Sequence, residues 1–245
     1  MPPLAALLLV DIQNDFLPPS GALAVSDGDE ILPNVYRLLE VDESRFHLVV
    51  ASQDHHPERH VSFASAHPPH EPFETITVRH PVSKEDKSQE LWPDHCVQGT
   101  EGCEFEKGIK ERLERWREVN KFKVVRKGED VNLDAYSAFA KPLQVQVRES
   151  QGEAATSPLT QILLDAKIDR VLVVGIATDF CVRQTVLSAL SESRANDSAW
   201  QIVVIKEGVR GVYAEKEDET LRELEREGAR VVGIDDEDVM GWLWQ

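Results

Sequence analysis

Short apolar runs separated by helical patterns constrain the fold of this chain more than any other feature. Runs without regular alternation of polar residues are typical of strands covered on both faces of a sheet. The helical periodicity between them predicts an α/β fold with a largely parallel sheet. Four clear runs occupy residues 4–10, 46–51, 171–176 and 200–205. Two weaker runs occupy residues 122–125 and 230–234.

Length and charge narrow the classes of protein that this chain can belong to. Its 245 residues suit one large domain, and we expect a single domain over residues 1–245. The polar, aperiodic segment 141–157 is expected to be a surface insertion. With 27 basic and 44 acidic residues, the net charge is −17. Such a charge argues against binding to nucleic acid or to an anionic membrane, and it favours a small-molecule ligand.

The N-terminus and the cysteines bear on the compartment. The apolar run at residues 4–10 is too short to span a membrane and has no positive region before it, so we expect no signal peptide. The three cysteines form no Cys-x-x-Cys motif, which favours a reducing compartment. We therefore expect an intracellular location in the cytoplasm, with the nucleus and the peroxisome left open.

Reactive side chains follow four of the predicted strands. Asp11, Asp54 and Lys127 each come at or just after the end of an apolar run, and segment 175–181 follows another. In open parallel sheets, sites form at the carboxyl ends of strands. We therefore expect these residues to meet at one edge of the sheet.

Cys181 is the candidate nucleophile. Thr178 or Asp179 is expected to cap a helix there, which would place Cys181 in the first helical turn and favour its thiolate. A strand-end Asp11 would serve as the base, and Lys127 would stabilise negative charge. The alternatives are a buried inert cysteine, a carboxylate that caps a turn, and a lysine that solubilises a strand edge.

Histidines are concentrated between residues 55 and 95, which points to a metal site. Asp54 and His56 point the same way from an extended segment, and His95 would complete the set. His60 is a spare candidate ligand. Oxygen and imidazole ligands suit Zn, Mn or Fe(II), and we expect one divalent ion with zinc as the first choice. The alternative is a solvated, histidine-rich loop.

Six motifs occur in order between Val10 and about Val212, and together they resemble the nicotinamidases of the isochorismatase-like cysteine hydrolase superfamily. Each motif is modest by itself, but their order and spacing are highly specific. The motifs are Asp11-x-Gln13-Asn14-Asp15-Phe16, Asp54-x-His56-Pro57 with His60-x-Ser62-Phe63, Leu91-Trp92-Pro93-x-His95-Cys96-Val97-Gln98-Gly99-Thr100, Lys127-Gly128, Tyr136-Ser137-Ala138-Phe139 and Gly175-x-Ala177-x-Asp179-x-Cys181-Val182.

The resemblance implies a fold and a reaction. The fold would be a three-layer sandwich with a six-stranded, mainly parallel sheet and helices on both faces. The reaction would be hydrolysis of nicotinamide to nicotinate and ammonia in NAD salvage, through a cysteine thioester. Cys181 would be the nucleophile, Asp11 the base that takes its proton, and Lys127 the cation that stabilises the thiolate and the intermediates.

The resemblance also implies binding roles. Backbone N–H groups of Ala177 and Cys181 would form the oxyanion hole, and the bond between residues 176 and 177 would match a cis peptide of the family. Asp54, His56 and His95 would hold the metal, which orients the pyridine nitrogen. The residues expected to line the ring pocket are Phe16, Trp92 and Tyr136.

One departure and three alternatives stay open. Where the family often has Trp between the metal-binding Asp and His, this chain has His55, which either alters ring stacking or competes as a ligand. Another hydrolase of the same scaffold would act on a carbamoyl, ureido or isochorismate-like enol-ether substrate. A non-catalytic small-molecule-binding relative is a further alternative, and a homo-oligomer is left open.

Overall fold

The predicted apolar runs all correspond to strands. The computed structural model describes residues 3–244. In that range the strands are β1 (Ala5–Val10), β2 (Leu48–Asp54), β3 (Thr75–Arg79), β4 (Asp86–Glu90), β5 (Phe122–Lys127), β6 (Arg170–Ile176), β7 (Gln201–Arg210) and β8 (Arg230–Val232). Strands β3 and β4 form a separate antiparallel hairpin, and the other six form the central sheet.

The central sheet is parallel throughout and has the order β5-β2-β1-β6-β7-β8. Every residue of β1 and β2 is buried, because both lie in the interior of the sheet and are covered on both faces. Strands β2 and β5 follow β1 on one side of the sheet, and strands β7 and β8 follow β6 on the other side. The reversal between these two strands creates a crevice at their carboxyl ends, where ligands bind in open α/β sheets.

Helices cover both faces of the sheet. The helices of the described range are α1 (Leu32–Leu39), α2 (Lys107–Glu118), α3 (Leu143–Ser150), α4 (Pro158–Asp165), α5 (Arg183–Ala195), α6 (Glu217–Glu227) and α7 (Glu237–Met240). On one face, Leu7 and Leu9 pack in a core that includes Leu38 of α1 and Trp116 of α2. On the other face, Leu8 and Val10 pack in a second core with residues of α4, α5 and α6. The predicted three-layer α/β architecture is thus confirmed.

Helix α2 was not predicted from the sequence. Its buried positions Ile109, Leu113 and Trp116 have helical spacing, but charged residues occupy most of the remaining positions. Such a narrow apolar stripe is enough to bury a helix on a sheet, yet it is a weak periodic signal. No helix in the described range is long and apolar enough to cross a membrane.

Two segments with little hydrophobic periodicity in their sequences contain regular structure. Segment 52–100 includes the end of β2 and the β3–β4 hairpin, whose side chains are mostly exposed or half-buried. Segment 141–157 includes helix α3, none of whose residues is buried. Because neither the hairpin nor α3 buries a clear apolar face, hydrophobic periodicity does not reveal them.

Candidate active site

Four reactive side chains converge at the carboxyl edge of the sheet, beside the reversal between β1 and β6. Asp11 follows β1, Asp54 ends β2, Lys127 ends β5, and Cys181 lies beyond the end of β6. All four are at least 94% buried. The parallel register pairs Asp54 with Lys127 across neighbouring strands, which places their side chains together.

The Lys127 ammonium contacts the side chains of all three other residues. Its Nζ lies 2.9 Å from Asp11 Oδ2, 2.6 Å from Asp54 Oδ1 and 3.4 Å from Cys181 Sγ. A buried lysine is costly unless carboxylates compensate its charge, and here two of them do. The structure therefore brings together the expected base, cation and nucleophile, and it adds Asp54 as a second partner of the lysine.

The three charged groups shift one another's pKa values. Burial by itself would lower the pKa of Lys127, but Asp11 and Asp54 raise it well above its usual value. Burial would raise the pKa of Asp54, but Lys127 and His56 hold it below its usual range. Burial raises the pKa of Asp11, and Lys127 only partly opposes that effect. Asp11 is therefore the more basic carboxylate, as a proton acceptor near neutral pH requires.

Cys181 lies in a π-helical turn, residues Thr178–Val182, and helix α5 begins only at Arg183. Cys181 thus lies in the first turn of the helical segment that continues into α5, as expected, but this turn is π-helical and its N-cap is Ala177. Burial raises the pKa of the thiol well above its usual value, and Lys127 opposes this only in part. The direction of this shift opposes the expected thiolate, and a thiol of raised pKa needs a base such as Asp11.

Asp179 and Thr178 do not act as the expected helix caps. The Asp179 carboxylate accepts hydrogen bonds from the backbone N–H groups of Val212 and Tyr213, at 2.9 Å each. The Thr178 hydroxyl donates to Glu217 Oε2 instead. Both side chains therefore tie the cysteine turn to the segment that follows β7, because their oxygens are bonded there and not to helix N–H groups.

Backbone geometry at the ends of β1 and β6 shapes the turn around Cys181. Gly175 has φ +133°, and a Cβ atom there would lie 2.0 Å from the carbonyl oxygen of Val10, so only glycine fits this close approach. The peptide bond between Ile176 and Ala177 is cis, as the resemblance implied. Ala177 and Cys181 both border the cavity described below.

Asp54, His56 and His95 form a donor set for a metal ion. One ligand atom from each lies within 4.8 Å of the others, and all three residues are buried. His56 Nδ1 lies 3.0 Å from the carbonyl oxygen of Gly128, and His95 Nδ1 lies 2.8 Å from that of Pro93. A carbonyl oxygen only accepts, so both Nδ1 atoms carry the hydrogen and both Nε2 atoms are left as ligands. The set fits a divalent ion.

His60 and His55 make other contacts. His60 lies with Nδ1 2.7 Å from Ser62 Oγ and Nε2 3.3 Å from the carbonyl oxygen of Leu133, and its ring stacks on His56. Burial, and then His56, lower the pKa of His60 to about 4, so it is neutral at pH 7. His55 lies 3.2 Å from Glu129 and belongs to none of the donor groups found in the described range.

An aromatic cavity with an empty volume of about 460 Å³, including its mouth, opens above the cysteine. The expected ring-pocket residues Phe16, Trp92 and Tyr136 all line it. Trp92 Nε1 donates a hydrogen bond to Tyr136 Oη at 3.0 Å, which fixes the two rings relative to each other. Sequence reasoning missed other lining residues, which are Leu23, Val25, Ser62, Asp134, Phe180 and Val212.

Phe180 is the most informative of the missed residues. Its ring packs edge-on against Trp92, with 5.0 Å between centroids, and it also contacts Tyr136. Its place directly before Cys181 in the sixth motif was the available signal. That signal was not used, because the motif leaves the position between Asp179 and Cys181 unspecified.

Comparison with known proteins agrees with this geometry. Residues 5–236 match the model of the Isochorismatase domain. This chain belongs to the isochorismatase family. The resemblance stated from the motifs is thereby confirmed.

The relatives of this isochorismatase-family chain include nicotinamidases. The nicotinamidase of Escherichia coli K12 is 38% identical over 229 residues, which are 94% of this chain and 93% of that protein. The structure of yeast nicotinamidase bound to the inhibitor nicotinaldehyde has a TM-score of 0.79 at 27% identity, over 94% of this chain and 99% of that one.

A zinc complex is among the similar structures. The pyrazinamidase of Pyrococcus horikoshii in complex with zinc has a TM-score of 0.67 at 29% identity, over 94% of this chain and 99% of that one. Together with the buried donor set, this likeness supports a divalent metal in the isochorismatase-family site.

Proposed function

We propose that this protein is a nicotinamidase, which hydrolyses nicotinamide to nicotinate and ammonia and serves NAD salvage. One observation carries the proposal. The Lys127 ammonium contacts both the Asp11 carboxylate and the Cys181 thiol beneath a cavity lined by aromatic rings. A base, a cation and a nucleophile are the groups that amide hydrolysis through a covalent intermediate requires. The choice of nicotinamide as the substrate rests on the relatives that are named nicotinamidases.

The first half of the reaction forms a thioester. Asp11 takes the proton of the Cys181 thiol, and the sulfur attacks the carboxamide carbon. The backbone N–H groups of Ala177 and Cys181 donate to the oxyanion of the tetrahedral intermediate. Asp11 then gives its proton to the amide nitrogen, the carbon–nitrogen bond breaks, and ammonia leaves. Lys127 stabilises negative charge during these steps.

The second half regenerates the enzyme. Asp11 takes a proton from a water molecule, whose oxygen attacks the thioester carbon. The carbon–sulfur bond breaks, and the Cys181 sulfur recovers a proton from Asp11. The acid product loses its own proton to water and leaves as nicotinate. Splitting the hydrolysis in this way replaces one difficult step with two easier ones. The raised pKa of Asp11 suits it to both proton transfers.

Asp54, His56 and His95 would hold a divalent metal ion, and we propose zinc. When bound, the ion would act as a Lewis acid that orients the pyridine nitrogen of the substrate. Phe16, Trp92, Tyr136 and Phe180 would enclose the ring, because apolar walls with a few polar groups bind flat aromatic ligands well.

Ammonia release from nicotinamide tests the proposed function. The purified full chain is assayed as isolated, after removal of metal with a chelator, and after zinc is added back. We expect release as isolated, a large loss after chelation and recovery with zinc. A chain that releases no ammonia under any of these conditions is not a nicotinamidase. Release from a ureido or carbamoyl substrate alone would favour another hydrolase of the family.

The proposal extends to the domain organisation and the cellular location of the protein. We propose a single domain whose insertion, residues 141–157, carries helix α3 on the surface. We also propose a cytoplasmic location, which suits an enzyme with three free cysteines, one of them the nucleophile.

A further inference from the structure

We propose that Gln13 and Asp15 are positioning residues that set two of the three metal ligands, Asp54 and His95. The inference rests on the metal site proposed above. Neither Gln13 nor Asp15 is among the described residues that line the cavity. An effect of either side chain on the site therefore passes through the residues that it contacts, which include the two ligand segments.

The side-chain amide of Gln13 bonds to both the N–H and the carbonyl group of the Asp54 backbone. Its Nε2 donates to the Asp54 carbonyl oxygen at 2.8 Å, and its Oε1 accepts from the Asp54 N–H at 2.8 Å. Gln13 is fully buried, so water does not compete for these bonds. A fully satisfied buried amide specifies one arrangement of the groups around it.

The two hydrogen bonds from Gln13 to Asp54 replace strand pairing that is missing at this point of the sheet. Pairing between β1 and β2 ends at Leu9 and Ala51, three residues before Asp54. Asp11 then turns away with φ +50°, so β1 no longer supplies backbone partners on that side of β2. The Gln13 side chain occupies the position of the missing strand, and β5 pairs with Asp54 on the other side.

Asp15 holds the segment that carries His95. Its Oδ2 accepts a hydrogen bond of 2.7 Å from the backbone N–H of Cys96, the next residue after His95. Cys96 has φ +47°, a left-handed conformation that a residue with a side chain adopts only when its surroundings impose it. A charge-assisted hydrogen bond at this point stabilises that conformation and so orients the ligand before it.

The segment that carries both residues is itself anchored. Backbone N–H groups of Asn14 and Asp15 donate to the carbonyl oxygens of Glu104 and Gly102, at 3.0 Å each. A Cβ atom on Gly102 would lie 2.2 Å from Asp15 Oδ2, so this glycine leaves the space that the carboxylate occupies. Residues 13–15 are thus fixed independently of the two ligands and provide a rigid support for them.

The test measures zinc affinity and not turnover. Metal-free full chain competes with a chromogenic chelator for zinc, and thermal unfolding reports the fold. Gln13→Met has a similar length but no hydrogen bonds, and Asp15→Asn cannot accept from both of its present donors, Cys96 and Ala22. Loss of such supporting groups typically weakens metal binding about 10–100-fold, and we expect this for both variants.

Asn14→Ala is the matched control. Asn14 lies between the two residues, but its side chain donates to the carbonyl oxygen of Glu101, which is neither a metal ligand nor next to one in the sequence. We expect it to bind zinc as the wild type does. If Gln13→Met does not fold, Asp15→Asn and Gly102→Ala decide the matter, since an added methyl group would displace the Asp15 carboxylate.

Three results overturn the proposal. The first is that the folded Gln13 and Asp15 variants bind zinc as tightly as the wild type. The second is that Asn14→Ala loses as much zinc affinity as they do. In both cases the metal site itself would stand, because the wild type binds zinc. A wild type that binds no zinc would remove the metal site and the positioning role together, while the ammonia assay would still judge hydrolysis separately.

Discussion

The site has two regions that are built in different ways. Its floor consists of Asp11, Asp54, Lys127 and Cys181, and its wall consists of Phe16, Trp92, Tyr136 and Phe180. Strand ends and the turn after β6 supply the floor, so sheet register sets its distances. Loops supply most of the wall, and ring-to-ring contacts hold it together. We therefore expect floor changes to reduce kcat and wall changes to raise KM.

The largest expected effect comes from removal of the nucleophile. Cys181→Ala should lower kcat by about 10⁴-fold or more, since the residues of a catalytic unit depend on one another. Circular dichroism and thermal unfolding should show an intact fold, because the change removes a single buried sulfur atom. Near-normal ammonia release from the folded variant would contradict the thioester scheme.

Loss of the floor cation should have the next largest effect. Lys127→Met leaves two buried carboxylates without their cation, which should cost about 3–5 kcal/mol of unfolding free energy in urea. It should also lower kcat by about 10²–10³-fold, since charge stabilisation is lost. Lys123→Met is the control, because Lys123 is an exposed lysine of the same strand. Equal effects in both variants would show that Lys127 has no special role.

A wall change should separate the two regions. Phe180→Ala removes a ring that packs against Trp92 and Tyr136, and we expect KM for nicotinamide to rise roughly 10–100-fold, from the lost burial of one ring. The kcat value should change much less. Phe139→Leu, a buried ring outside the cavity, should lower Tm without raising KM. A fall in kcat with constant KM would contradict the division into floor and wall.

The smallest effect should come from one hydrogen bond in the wall. Tyr136→Phe keeps the ring but leaves the Trp92 N–H without its acceptor, and we expect KM to rise about threefold to tenfold. Steady-state kinetics at saturating nicotinamide should show an unchanged kcat. A large drop in kcat would instead place the Tyr136 hydroxyl in the chemistry.

Elements with an apolar signal could be predicted, and those without one could not. Buried strands such as β1 have nearly unbroken apolar sequences, so their positions followed directly from the sequence. Helix α2, helix α3 and the β3–β4 hairpin were missed because their buried stripes are narrow or absent. The capping role expected of Asp179 was wrong because its carboxylate bonds to Val212 and Tyr213, which are distant in sequence.

By itself, the sequence determined the six strands of the central sheet, the family and the residues that belong together at the site, because motif order and apolar runs are properties of the linear chain. Only the tertiary structure decided which groups touch. It made Asp54 a partner of Lys127, put Phe180 in the wall and assigned Gln13 to the Asp54 backbone. Contacts like these depend on strand register and loop packing, which bring together residues far apart in sequence.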